Sequence, residues 1–580
     1  MEKNLLIALI LLFFAVALIF IITQQPEALP EPPPVATPTA VPTATALQLE
    51  PTPTPEMIIP DGVTVFRLDG DSVGYIELDN HIYNLGVISN DPVDLKAEYE
   101  AGFIQGHLQK DLLAITRDNL WDSAYLTDVS QFKERPPTEN QTAQAERILS
   151  TNYNYTVDYI ANKADADVQP KMQRILFRLL GIYHGATLQE PAELDFSGSW
   201  MPTLDYFGEE ELEMTYGSDE ITFMDLYFIN GDADLFDVVD DEEEEMSGEE
   251  HQNPSSCSAF TKKMPSGEVF FAHNTWSCYL DQSMMQSYYI NGDYLTLNSN
   301  SPGMIASNSD FGYNNKGIAF LETTHHDTYT EPKADALWMI WRAALMQQFA
   351  SSLDEGYKYL SLEASGTYMN GYMLLDDKTD EIGLVEMSYK SFVYFKPNAN
   401  AANGYEVITK PENCSKDYDL EMVQPDYIIG INYPASTQIR EDLKALDTRP
   451  SRRVQFLARE DTVVDIESAK ALITYTDPDN PLSIYGRWDL GYGNTPVPNK
   501  VPDGAIDAKT ISSSMMSYVY NMSGQLDFES ETQTFWMKFG TAKINNTPFI
   551  WSESDWSDQP LRNVPDVVDG EFILPNNYMN

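Results

Sequence analysis

Cys257 opens the run Cys257-Ser258-Ala259-Phe260, and Phe271-Ala272-His273-Asn274-Thr275-Trp276 follows across Met264-Pro265-Ser266-Gly267-Glu268. Pro, Ser and Gly are turn formers and the flanking runs suit strands, so the segment predicts a β-hairpin. A turn centred on Pro265 to Gly267 sets Cys257 opposite Asn274, Thr275 or Trp276, and strand alternation puts His273 and Thr275 on one face. A thiol thus begins a strand with an imidazole close by. Upstream, Asp237 to Glu250 is almost continuously acidic and runs on through Pro254 without apolar periodicity, which predicts a mobile, solvated linker over 238–256. A linker ending abruptly at a cysteine suits a precursor cut between Ser256 and Cys257. Uncut, the thiol can attack the Ser256 carbonyl to give a thioester that water opens. The freed α-amine, with an ordinary pKa of about 7.7–8.0, can then act as base for its own thiol.

Other chemistries find less in the sequence. No Gly-x-Ser-x-Gly elbow is present for a serine triad. His325-His326-Asp327 is metal-like in composition, but adjacent histidines on a strand point to opposite faces, so neither a metal nor a cofactor is expected. The chain has 3 cysteines, Cys257, Cys278 and Cys414. An odd number leaves at least one thiol outside any internal disulfide, and a Cys278–Cys414 bridge would leave Cys257 free.

Several short motifs recur in order: Tyr99-Glu100-Ala101-Gly102 with Gly106, Cys257-Ser258-Ala259, Ala272-His273-Asn274-Thr275-Trp276, Ser301-Pro302-Gly303, Glu322-Thr323-Thr324, Ser365-Gly366-Thr367-Tyr368 with Asn370, the Arg453 region, and Gly504-Ala505-Ile506-Asp507-Ala508-Lys509. Across roughly residues 62 to 575 this pattern resembles the phospholipase B-like proteins, which belong to the N-terminal-nucleophile hydrolases. The resemblance implies an α+β fold, a four-layer αββα sandwich, to which both fragments of the cut chain contribute and in which they stay associated. It implies hydrolysis of acyl ester bonds of phospholipids. It also sets His273, Asn274 and Trp276 beside the nucleophile, with Thr324, Asn370 and Arg453 as further pocket residues. In this reading Asn370 is an oxyanion donor, His273 orients groups or handles a proton, and Arg453 partners the substrate or the new amino terminus. Asn274, Trp276 and Thr324 contact substrate. Two places depart from the family pattern: Met369-Asn370-Gly371-Tyr372 stands where Asn-Asn-Gln-Trp is expected after the tyrosine, and Arg452 replaces a proline. These predict an altered substrate pocket. Two rival readings are an amidase acting on N-acyl or peptide-like bonds and an unprocessed, inactive surface binding protein.

These residues need a large body to position them. The chain has 580 residues, 43% of them hydrophobic and 12% aromatic, which suits a sizeable globular core. A net charge of −53 argues against a nucleic-acid partner, where phosphates demand Lys and Arg, and against docking on anionic lipid. Leu5 to Ile22 is continuously apolar, about 27 Å of helix, so residues 1–24 predict a membrane anchor or a signal segment. An uncleaved anchor with the body outside the cytoplasm is favoured over secretion after cleavage. Residues 25–60, rich in Pro and Thr, predict an extended stalk, and 61–580 the hydrolase domain.

Within that domain, Val65–Leu68 and Tyr75–Leu78 predict strands around a turn at Asp69-Gly70-Asp71. Asp94 to Asn119 predicts a helix with Ala97, Ala101, Ile104 and Leu108 on one face and Gly102 and Gly106 allowing close packing. His107 reads as a packed histidine. Thr142 to Leu188 carries further helical periodicity. Ile318–Thr324 predicts a strand, Ala334–Phe349 an amphipathic helix with Trp338 and Trp341 in the core, and Tyr372–Leu375, Gly383–Met387 and Phe392–Phe395 a meander.

Overall fold

A computed structural model of the chain describes residues 59–578, apart from 69–71, 90–93, 128–135, 248–256, 282–283, 291–293, 326–328, 448–449, 478, 481, 487–501, 517–526, 528–533, 542, 544–547 and 577. The expected membrane segment over 1–24, nearly all of the expected stalk and the turn at Asp69 lie outside the described residues. Among the described residues no helix is long and apolar enough to cross a membrane.

Short β-branched and aromatic runs form strands β1 (Val63–Arg67), β2 (Val73–Asp79) and β3 (Ile82–Ser89). Four helices follow: α1 (Asp94–Thr127), α2 (Glu139–Asn162), α3 (Val168–Thr187) and α4 (Phe223–Ser247). The chain then makes β4 (Ser258–Lys263), β5 (Val269–Asn274), β6 (Trp276–Cys278), β7 (Met284–Ile290), β8 (Tyr294–Asn300), β9 (Phe311–Asn314) and β10 (Ile318–Thr324). Helices α5 (Met339–Phe349) and α6 (Leu353–Leu360) lead into β11 (Asn370–Asp376), β12 (Glu381–Met387), β13 (Phe392–Pro397), β14 (Tyr405–Lys410), β15 (Val423–Gln424) and β16 (Tyr427–Gly430). Helices α7 (Thr437–Leu443), α8 (Pro450–Leu457) and α9 (Ile466–Ile473) precede β17 (Asp503–Ala505), β18 (Asp507–Ser512) and β19 (Trp536–Phe539).

The larger sheet has 11 strands in the order β1-β2-β3-β7-β8-β9-β10-β11-β12-β13-β14, and the smaller has 6 in the order β15-β16-β4-β5-β18-β19. The β3–β7 pair is parallel, as befits a connection long enough to hold four helices. Side-chain alternation on the larger sheet separates two cores. Phe320, Tyr372, Leu374, Val385 and Tyr394 pack with helices α1 to α6. Their neighbours Leu321, Met373, Leu375, Leu384 and Phe395 pack instead with Phe260 and Phe271 of the smaller sheet and with Ile439, Phe456 and Leu472 of α7 to α9. Each such side chain contributes about 1.5–3 kcal/mol by leaving water.

Several sequence expectations hold in detail. Ala97, Ala101 and Ile104 form one apolar cluster with Leu85 and Val87, with Leu108 at its edge. Gly102 and Gly106 of α1 meet Gly181 and Gly185 of α3. A Cβ on Gly102 would lie 2.2 Å from the Arg178 carbonyl oxygen, and one on Gly185 would lie 1.9 Å from that of Phe103. His107 stacks on Phe66 with ring centroids 3.8 Å apart. Trp338 and Trp341 are fully buried.

Two expectations change, and the open question of the cysteine pairing closes. The acidic run does not start as a loop: α4 carries it through Ser247, and residues 248–256 lie outside the described residues. Helix α5 starts at Met339 and is buried on every side rather than amphipathic, because α3, α4 and α6 close over the faces that the larger sheet leaves open. All three cysteines are free thiols, so the Cys278–Cys414 bridge is not formed.

Candidate active site

The hairpin that carries Cys257 forms as its turn residues dictate. Met264 N–H donates to the Glu268 carbonyl at 2.7 Å and Gly267 N–H to the Met264 carbonyl at 2.9 Å. Gly267 takes φ +97°, a conformation that glycine adopts without strain. The β4–β5 register pairs Ser258 with Asn274 and Ala259 with His273, which leaves Cys257 opposite Thr275. On the other side, β16 pairs Gly430 with Ala259, so continuing that register brings Asn432 opposite Cys257.

Asn432 stands at φ +65°, a left-handed conformation that asparagine tolerates better than most residues. Its Oδ1 accepts the Cys257 backbone N–H at 3.0 Å, and its Nδ2 donates to the Thr324 carbonyl at 2.6 Å. Arg452, fully buried on α8, donates through Nη1 to the Cys257 carbonyl at 2.6 Å and to Ser258 Oγ at 3.2 Å. Its Nη2 reaches the Ile431 carbonyl at 2.5 Å and Asn432 Oδ1 at 2.9 Å, and its guanidinium lies 4.7 Å from the Trp276 ring centre. Both main-chain ends of Cys257 are therefore held by side chains instead of by a sheet ladder.

The thiol is 4% exposed. Burial raises its pKa well above the ordinary range, and the carboxyls of Asp310 and Glu322 add to this. The Trp276 backbone N–H and the Lys509 ammonium act the other way by favouring thiolate. His273 is fully buried, and neither ring nitrogen has a hydrogen-bond partner among the described residues. Burial, then Lys509, hold it well below the usual imidazole value against the opposing influence of the Glu322 backbone, so it is neutral near neutral pH. Lys509 is the register partner of His273 on β18 and donates to Asp507 at 2.6 Å and to Thr275 Oγ1 at 2.7 Å.

Asp310 and Glu322 complete the cluster. Burial raises both carboxyls. Glu322 is raised further by the facing charge of Asp310, so it keeps the proton and shares it with Asp310. Tyr368 Oη approaches Glu322 Oε2 at 3.3 Å and Asp310 Oδ1 at 3.5 Å.

The expected residues divide accordingly. The structure brings His273 and Trp276 to Cys257. Asn370, the β11 partner of Thr324, is fully buried with neither amide oxygen nor amide nitrogen partnered among the described residues. Thr324 reaches the cysteine through Asn432. Ser256 lies outside the described residues. Asn274 does not offer its amide to a substrate: Oδ1 accepts Ser258 N–H at 3.1 Å, while Nδ2 donates to the Ile473 and Ile484 carbonyls at 2.8 and 2.9 Å. Strand alternation explains this, because Asn274 faces α9 when His273 faces the larger sheet. Arg453 is not in the cluster either. One turn-step along α8 from Arg452, it pairs with Asp419 at 2.8 Å and Asp447 at 3.3 Å.

The model of the family described as Phospholipase B matches residues 87–574, which contain every group described above. The chain belongs to the phospholipase B family. Its relatives include phospholipase B-like protein G of Dictyostelium discoideum, 26% identical over 44% of this chain and 48% of that protein. Phospholipase B-like protein B of the same organism is 22% identical over 88% of this chain and 87% of its own. Phospholipase B-like 1 of Rattus norvegicus is 24% identical over 63% and 67%. The chain thus spans about half of the first relative and most of the second. Membership of the phospholipase B family supports a hydrolase.

Asp310, Asn432, Arg452 and Lys509 escaped the sequence reading as site residues. Lys509 and Glu322 were each legible as part of a motif. Asn432 had one signal, the strand-like Tyr427-Ile428-Ile429-Gly430 before it, which becomes informative once β16 is known to pair with β4.

Proposed function

We propose that this chain is a self-processing N-terminal cysteine hydrolase that cleaves acyl ester bonds of phospholipids. The observation that carries the reading is the grip on Cys257: Asn432 on its nitrogen and Arg452 on its carbonyl fix the residue on both sides of its thiol. In the uncut chain the thiol adds to the Ser256 carbonyl and the peptide nitrogen leaves as an amine. Water then opens the thioester to a carboxylate and restores the thiol. The new α-amine occupies the position of the former N–H, against Asn432 Oδ1, and takes the thiol proton. The thiolate, favoured by the Trp276 N–H and Lys509, attacks the substrate carbonyl. The amine passes its proton to the departing alcohol, and water releases the acyl group.

Asn370 supports this reading with a buried amide that has a donor to spare for the oxyanion, a contribution of about 3–4 kcal/mol where such donors have been removed. His273, neutral and unpartnered, orients groups beside the thiol. The layering of helices, larger sheet, smaller sheet and C-terminal helices supports the αββα sandwich of the N-terminal-nucleophile hydrolases. The apolar run Leu5 to Ile22 supports an extracytoplasmic, membrane-tethered setting.

The test is intact mass and N-terminal sequencing of the purified protein beside Cys257→Ala, followed by hydrolysis of matched ester and amide substrates. A fragment beginning at Cys257, absent from the variant, with ester turnover is the expected result. Turnover of the amide alone would replace the lipid substrate with an N-acyl amide. A single uncut and inactive chain would overturn the reading.

A further inference from the structure

We propose that Cys257, His273 and Asp310 form a binding site for a zinc-type divalent cation, and that the bound cation masks the nucleophile. The functional consequence rests on the Cys257 reading above; the binding itself needs only the three side chains. Cys257 Sγ, a ring nitrogen of His273 and a carboxylate oxygen of Asp310 all lie within 4.8 Å of one another, and all three residues are buried. Zinc bonds of about 2.3 Å to sulfur and about 2.0–2.2 Å to nitrogen and oxygen put tetrahedral ligand atoms about 3.3–3.6 Å apart. Binding requires the three atoms to settle at that spacing.

The donor set selects the metal. A thiolate, an imidazole and a carboxylate suit a borderline-soft ion, whereas magnesium and calcium seek oxygen alone. An independent observation points the same way: His273 is fully buried and neither ring nitrogen makes a well-formed hydrogen bond among the described residues, although the Glu322 backbone lies near the ring. Leaving such a group unsatisfied costs about 1–3 kcal/mol, which a bond to a cation would offset. The Lys509 ammonium is already committed to Asp507 and Thr275. Glu322 and Tyr368 contact the Asp310 carboxyl, as outer groups that orient a ligating carboxylate do.

The three ligands come from the start of β4, from β5 and from the residue before β9. No short spacing motif announces them, and only the fold assembles the set. Binding exchanges the thiol proton for the metal: the S–H bond breaks, a sulfur–metal bond forms, and the proton goes to solvent. With its sulfur bonded to the metal, Cys257 is not free to attack a carbonyl, so the bound ion inhibits.

The experiment uses the purified full chain, stripped with EDTA and titrated with Co²⁺ as a spectroscopic probe, with Zn²⁺, and with Mg²⁺ as control. Co²⁺ is expected to give a near-ultraviolet thiolate-to-metal band that Zn²⁺ bleaches and Mg²⁺ does not. Zn²⁺ should slow alkylation of Cys257 by about tenfold or more, and EDTA should restore it. Cys257→Ser, which preserves shape, and Asp310→Asn should lose the band, whereas Cys278→Ala should keep it. Glu322→Gln should weaken binding about 10- to 100-fold. Absence of the band in the parent chain, or its persistence in Cys257→Ser, overturns the proposal, even if the chain still hydrolyses esters. A band in a chain that proves uncut and inactive supports the site while removing the catalytic reading.

Discussion

Arg117 on α1 and Cys257 before β4 both sit in polar clusters sealed from water, yet the two clusters are finished to different degrees. Around Arg117, Nε donates to Asp118 at 2.9 Å, Nη1 to the Glu220 carbonyl at 2.9 Å and to Asp225 at 3.1 Å, and Nη2 to the Ser218 carbonyl at 2.6 Å. Asp225 also accepts Thr215 N–H at 2.8 Å and Thr222 N–H at 3.1 Å. Around Cys257, both nitrogens of His273 and Glu322 Oε1 are left without partners among the described residues, as are both polar atoms of the Asn370 amide on β11. A completed network fixes helices against each other. An incomplete one keeps donors and acceptors available at a stability cost, which is where a local rule broken inside a consistent fold points to function.

That contrast is broken most directly by exchanging outcomes. Cys257→Ala is expected to abolish both chain cutting and turnover while moving the unfolding free energy by no more than about 1 kcal/mol. Mass spectrometry, a turnover assay and a denaturant melt together check it, and residual turnover above background would remove Cys257 as nucleophile. Arg117→Ala should do the reverse. It strands Asp225 in the helical core and costs about 3–5 kcal/mol by denaturant unfolding, with turnover per folded molecule unchanged. A loss under about 1 kcal/mol would show that the Arg117 network contributes little.

Glu386 lies between the two cases and sharpens them. It accepts Ala435 N–H at 2.6 Å and Ser436 N–H at 2.7 Å, yet burial pushes it up to about 7 against the lowering effect of those bonds and of Arg440. With the folded value raised, the unfolded carboxyl ionises near pH 4.3 while the folded one keeps its proton to about pH 7. Stability from this group is therefore present below about pH 4.3 and is lost as pH rises toward 7, at about 1.4 kcal/mol per pH unit. Glu386→Gln should flatten that slope in denaturant melts taken between pH 4.5 and 7 (about the window set by the two values). An unchanged slope would mean that Glu386 is ionised in the folded chain.

How far the sequence could be read follows the same division. The β4–β5 hairpin, the apolar stripe of α1 and the β11–β13 meander rest on local periodicity and turn chemistry, and they were legible at nearly their final boundaries. Cys257, His273 and Trp276 were legible because two of them lie on the hairpin and the third follows it. Asp310, Asn432, Arg452 and Lys509 reach the thiol through pairings between strands distant in sequence or through a helix packed on the smaller sheet. No spacing encodes those contacts. Asn274 was misread for the opposite reason: adjacency in sequence suggested a shared site, and the two-residue period of the strand sends its side chain to the other face. The acidic run was read as loop from composition, which does not register that Phe223 to Val239 had already started a helix.

The smallest effect expected concerns neighbouring arginines. Arg452 is fully buried and holds the Cys257 carbonyl, Ile431 carbonyl and Asn432 side chain, so Arg452→Gln should reduce cutting and turnover together. Arg453, one residue on, points outward along α8 to Asp419 and Asp447, and its side chain is 22% exposed. Ion pairs of that kind contribute about 0–1 kcal/mol, so Arg453→Gln should shift the denaturation midpoint slightly and leave both cutting and kcat/KM as they were. The pair tests whether the grip on Cys257 depends on placement in the fold or only on positive charge in that stretch of helix. Loss of turnover in Arg453→Gln with Arg452→Gln unaffected would reverse the assignment, because the charge change is the same in both and only the direction of the side chain differs.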